Sequence, residues 1–163
     1  MFQEKINDDL KQAMLAKDEA RVLVLRGLNS AIKNKEIEKR TKLSKTESDL
    51  AKLEEASRLS DEEIQDVVSS EAKKRRESIL EFGKGGRQDL VDKETKELGI
   101  LKQYLPEQLS EEQVAEIVKT AIAETGASSK KDIGKLMAKI MPQIKGKADG
   151  AMVTKIVGDL LEG

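Results

Sequence analysis

The chain has 163 residues, with 30 Lys+Arg against 31 Asp+Glu, a net charge of -1 and no Cys, His or Trp. These absences exclude a thiol nucleophile, a Ser-His-Asp triad and any Cys/His zinc site within the chain. Phe2, Phe82 and Tyr104 are the only aromatics, too few for a base-stacking platform.

Apolar residues recur at helical spacing throughout, and no segment alternates as a strand would. Phe2, Ile6, Leu10 and Met14 step by four and predict a short first helix. A second is predicted from about Asp18 to Arg40, with Val22, Leu25, Leu28 and Ile32 on one face and a close helix crossing at Gly27. Ser44-Lys-Thr-Glu47 has capping-box form. The helix it predicts has only Leu50, Leu53 and Leu59 as large apolar residues, which suggests an exposed helix or a mobile charged excursion.

Ser60-Asp-Glu-Glu63 repeats the box and opens a helix with Ile64, Val67, Val68, Ala72, Ile79 and Leu80. Three glycines in Phe82-Gly-Lys-Gly-Gly86 predict its end. Another helix follows from Arg87 to Tyr104, with Leu90, Val91, Glu94, Leu98, Leu101 and Leu105 on its buried side, and Pro106 ends it. A third box, Ser110-Glu-Glu-Gln113, precedes three helices predicted near 111–125, 130–141 and 150–162. Pro142 and Gly146 are expected to close the second of these, and Asp149 to cap the third. The expected architecture is all-α, an N-terminal helical domain over 1–105 followed by a small three-helix domain over 110–163.

Charge is laid out unevenly. Lys33–Lys45 carries a local +4, Glu47–Asp66 a local -6, Lys73–Arg87 a local +4 and Lys130–Lys147 a local +5. Such runs fit solvated faces with intrahelical ion pairs, and they equally fit phosphate-binding patches. Lys131, Lys135 and Lys139 recur every four residues beside Ile133, Met137 and Ile140, and Lys145 and Lys147 flank Gly146. That ridge is a candidate backbone-phosphate surface; ordinary solvated lysines remain the alternative. Arg75, Arg76, Lys84 and Arg87 form a second candidate patch. The glycine run has neither the preceding strand nor the Lys-Ser/Thr ending of a phosphate loop, although amides at the next helix start could hold a phosphate. Asp8-Asp9 and Glu62-Glu63-Asp66 are weak metal candidates, because adjacent acids diverge on a helix. No metal or cofactor is expected.

The first fourteen residues contain paired acids and no apolar run of signal-peptide length. No stretch approaches the roughly 18 to 20 apolar residues of a membrane span. The expectation is a cytoplasmic location with no membrane partner.

Over nearly its whole length, and most strongly at three places, the chain resembles the GatB/YqeY family, specifically its stand-alone YqeY-like members. These are Arg75-Arg76-Glu77 through Phe82-Gly-Lys-Gly-Gly-Arg87-Gln-Asp-Leu90, then Glu97-Leu98-Gly-Ile-Leu101 to Tyr104-Leu-Pro106, and Gly134-Lys-Leu-Met-Ala-Lys-Ile-Met141 with Lys145-Gly-Lys-Ala-Asp-Gly150. The segment Lys42–Leu59 does not follow the family pattern closely. The resemblance implies two helical domains like the tail of the B subunit of glutamine-dependent aminoacyl-tRNA amidotransferase. It further implies that such a tail engages tRNA, while a separate cradle domain, without counterpart here, carries the amidation chemistry. Three functions are therefore expected to compete. The first is a non-catalytic accessory protein binding tRNA or another structured RNA. The second is an interaction module docking on amidotransferase or synthetase components through Met137 and Met141. The third is a carbon–nitrogen ligase with glutamine as amido donor, a label carried by family association without an evident active site.

Overall fold

In the computed structural model, which describes residues 1–162 apart from the side chains of Lys130 and Glu162, the described residues form eight α-helices and two 3₁₀ turns, with no strand. The chain is all-α. Its backbone divides into two compact units, Met1–Tyr104 and the part from Leu105 onward.

The first unit contains α1 (Phe2–Leu15), α2 (Glu19–Leu43), α3 (Leu50–Ser57), α4 (Asp61–Lys84) and α5 (Gln88–Leu101), then a 3₁₀ turn over Lys102–Tyr104. α1 and α2 form an antiparallel hairpin, bridged by the side-chain amides of Gln3 and Asn7 at Asn29. α4 and α5 form a second hairpin. Ile6, Leu25, Leu28, Ile32, Val68 and Leu101 are buried in the common core. Met14 departs from the predicted stripe: it is half exposed, and Ala13 is buried in its place. A four-residue step overshoots one helical turn by about 40°, so three steps rotate Met14 off the core face. On α2 the same core takes Val24, while Val22 is only half-buried.

Gly27 makes no close crossing. A Cβ built there would have nothing within 4 Å. The predicted box at Ser44 is also displaced. Ser44 ends α2, and its hydroxyl donates to the Thr41 carbonyl. The new helix starts six residues later, where Asp49 accepts from the Ala51 and Lys52 amides and Glu47 accepts from Ser48 and Asp49. α3 is no free excursion: Leu53 and Ser57 are buried, and Arg40 of α2 donates to the Ser57 hydroxyl. One buried leucine suffices because the helix is only eight residues long.

Ser60 and Glu63 close a reciprocal capping box at the start of α4. At its other end Arg87 N–H donates to the Phe82 carbonyl and Gly86 N–H to Gly83, a Schellman arrangement around Gly86 at φ 69. Of the three glycines, only Gly86 has positive φ. Of the apolar residues this helix carries, Leu80 is 63% exposed. α5 stops at Leu101, and the 3₁₀ turn places Tyr104 in the core at 2% exposure. Its hydroxyl donates to Asp9 at 2.7 Å, and its ring meets Phe2 edge-on.

The second unit contains α6 (Glu111–Thr125), a 3₁₀ turn (Lys130–Asp132), α7 (Ile133–Ile144) and α8 (Gly150–Glu162). α6 packs against both later helices around Val114, Val118, Leu136, Ile140, Val153 and Val157. Ser110 and Gln113 form the predicted capping box, and Gly126 ends α6 in the left-handed region. Asp149 accepts from the first amides of α8. Pro142 does not terminate α7 as predicted: lying in the last turn, it costs a single intrahelical hydrogen bond, which the helix tolerates. The helix continues to Ile144 and turns at Gly146, φ 73.

Candidate nucleic-acid interface

The basic ridge begins before α7. Lys131 lies exposed in the 3₁₀ turn, and Asp132 fixes that turn. The Asp132 carboxylate accepts from the backbone N–H groups of Ser128 and Ser129 and from the Ser129 hydroxyl, which holds it below the usual aspartate range. Lys135 and Lys139 follow one turn apart on the exposed flank of α7, while Leu136 and Ile140, the residue after each, are buried.

Each lysine of this pair already has a contact. The Lys135 ammonium donates to the Thr125 carbonyl at 3.0 Å, filling an acceptor left open at the end of α6. Lys139 pairs with Glu124 at 2.9 Å, and both side chains are about half exposed. At the far end of α7, Lys145 and Lys147 are exposed around the Gly146 turn. Gln108 and Leu109 hold that turn, donating to the carbonyls of Gly146 and Lys147. Those two residues do not stand out in sequence, since they reach backbone carbonyls some forty positions away. Met137 packs against the core and Met141 is 42% exposed, so the two do not form one open methionine face.

The second candidate patch is spread over different roles. Arg75 turns inward and reaches Glu94 at 2.7 Å and Glu97 at 2.5 Å, knitting α4 to α5. Arg76 is half-buried. Lys84 pairs with Glu81, and Arg87 grips Asp89 with two nitrogens. That grip holds the Asp89 carboxylate well below its usual range. The amides of Gly85, Gly86 and Arg87 donate to Glu81, Gly83 and Phe82 carbonyls, so the glycine turn offers no phosphate cradle. The acids considered as ligands are taken as well: Asp8 by Lys11, Asp9 by Tyr104, Glu63 by Lys39 and Ser60. Among the described residues no three acids converge as a metal site would require, and no helix is long and apolar enough to cross a membrane.

Comparison with known proteins places this geometry. The model of the family described as "Yqey-like protein" matches residues 3–161. A Kluyveromyces lactis protein named "Altered inheritance of mitochondria protein 41, mitochondrial" is 35% identical over 144 residues, covering 84% of this chain and 70% of its own length. Its namesake in Lachancea thermotolerans is 39% identical over 100 residues, covering 61% and 46%. That in Saccharomyces cerevisiae is 31% identical over 157 residues, covering 95% and 68%. Those names overturn the expected cytoplasmic location, because the relatives are mitochondrial proteins. The expectation failed for a physical reason: lacking cysteines and a secretory pattern does not separate the cytosol from an organelle. With the family model spanning nearly every residue and relatives above 30% identity over most of the chain, the protein belongs to the YqeY-like family.

Proposed function

We propose that this YqeY-like protein is a non-catalytic accessory protein that associates with tRNA or another structured RNA through the basic flank of α7. The observation that supports this reading is the pair Lys135 and Lys139, one turn apart and both exposed, on a helix whose other side buries Leu136 and Ile140. Lys131 extends the row at one end, and Lys145 and Lys147 at the other. Exposed ion pairs such as Lys139 with Glu124 contribute little in water, so a phosphate oxygen can replace the carboxylate at small cost. With few aromatics available, binding is electrostatic and guided by shape, and it falls steeply with salt.

A titration with tRNA at low and at physiological salt tests this. Saturable binding at low salt is expected, with a clear loss when Lys131, Lys135 and Lys139 are all changed to Gln. No binding at low salt, or an unchanged affinity in the triple variant, overturns it.

The neutralised cations of the first unit favour a second reading, a module that docks on amidotransferase or synthetase components. Lys84 and Arg87 both sit against acids of their own segment, which reduces their pull on phosphate. Recovery of a defined protein partner that survives nuclease treatment supports the module; recovery abolished by nuclease supports RNA.

A further inference from the structure

One side of α2 has no partner. Leu23 and Ile37 are 56% and 51% exposed, and their separation of fourteen positions places both on one side of the helix, about 21 Å apart. Between them that side carries only small or short residues, Gly27, Ser30 and Asn34. Gly27 is an open position inside a 25-residue helix, and glycine weakens a helix interior. These three residues line one wall of an open groove of about 840 Å³, and the facing stretch of α4, Val67 and Ser70 included, lines the other.

Charge differs between the two sides of this stripe: the groove side mixes Glu38, Glu63 and Glu71 with Lys35, Lys39 and Lys74, while the other side carries cations at regular spacing. Arg26, Lys33 and Arg40 recur every seven residues along its flank. Lys33 meets Glu36 at 3.8 Å and Arg40 touches the Ser57 hydroxyl, while the Arg26 guanidinium has no such contact among the described residues. A phosphate backbone would use these cations and leave Leu23 and Ile37 in water. A second copy laid antiparallel along α2 would set Arg26 against Lys33, a repulsive pairing. An amphipathic helix with carboxylates on one flank satisfies both rows at once.

We propose that the Leu23–Ile37 side of α2 docks such a helix from a partner protein. The partner's apolar anchors, two heptads apart, cover Leu23 and Ile37, and its acidic flank faces Arg26, Lys33 and Arg40. Gly27 and Ser30 let its backbone come close. These residues lie in the first unit, so the proposal is independent of RNA binding by α7.

The probe is a synthetic helical peptide with leucines at heptad spacing and glutamates along one flank, titrated against the full chain. Saturable binding is expected, weakened about tenfold or more in the double variant Leu23→Ser, Ile37→Ser. The same peptide with lysines in place of the glutamates should not bind. Gly27→Gln separates docking from folding: it places a helix-favouring side chain in the groove, so the thermal midpoint rises while peptide affinity falls. Failure to saturate by about 1 mM, indifference to flank charge, or full affinity in all three substitutions overturns the proposal. So does displacement of the peptide by tRNA whose own affinity is unchanged in the double variant, an outcome that would make this side an RNA surface.

Discussion

Arg75 and Glu97 are joined at 2.5 Å across the α4–α5 hairpin, and the Glu97 side chain is only 6% exposed. Glu94 takes the same guanidinium at 2.7 Å, so one arginine compensates two carboxylates. Removing it leaves buried Glu97 with the longer contact to Lys93, at 4.0 Å. Arg75→Met should therefore destabilise the chain by about 3 kcal/mol, read from urea unfolding. Adding Glu97→Gln should recover part of the loss, since the uncompensated charge is gone. Equal stabilities of the single and double variants would show that Glu97 is relieved by other means.

Gly27 gives a prediction of opposite sign. It occupies an ordinary helical position with nothing near its missing Cβ. Gly27→Ala should raise stability by about 0.5–1 kcal/mol through reduced freedom of the unfolded chain. A loss of stability in thermal unfolding would mean that something occupies the groove.

Among the described residues Lys17 is the non-glycine residue with positive φ, 56°. It follows the end of α1, where Asp18 N–H donates to the Ala13 carbonyl and Lys17 N–H to Met14, a Schellman stop that glycine usually occupies. Lys17→Gly should stabilise by about 1 kcal/mol, detectable as a shifted denaturant midpoint with an unchanged slope.

Tyr104 supplies a pH dependence. Burial first, and the hydrogen bond to Asp9 second, push its phenol from 10.0 up to about 12. The folded state thus holds this proton more tightly than the unfolded chain does. The resulting stability is complete below pH 10 and is lost as pH rises toward 12. As the chain has one Tyr and no Trp, phenolate absorbance reports this group alone. It should titrate near 12 when folded and near 10 in urea, and Tyr104→Phe should flatten the alkaline limb of the stability profile.

Residues that act locally were legible in sequence. Ser60 with Glu63, Ser110 with Gln113 and Asp149 all cap where their spacing predicts, because a cap needs only neighbours three residues away. Long-range roles were not legible. Ser44 has the letters of a capping box, yet it ends α2, since the following turn lacks apolar residues to bury. Arg75 reads as one of four equivalent cations, and only the hairpin shows that it faces Glu94 and Glu97. The α7 lysines were visible as a ridge, but the contacts of Lys135 with Thr125 and Lys139 with Glu124 come from a helix that begins some twenty residues earlier. Exposed Leu23 and Ile37 hid among many helical apolar residues, because periodicity alone does not tell which stripe finds a partner.

The hydrogen bond between Tyr104 and Asp9 spans 95 residues, and its consequence falls on synthesis. Phe2, Asp9 and Lys5 sit at the start of the chain and wait for a phenol that leaves the ribosome roughly a hundred residues later. Until then α1 and α2 can pair, but one side of their hairpin stays open. At about 5–20 residues per second that interval lasts several seconds, far longer than helix formation takes. For that interval the nascent first unit carries an apolar surface that only the arrival of Tyr104 covers.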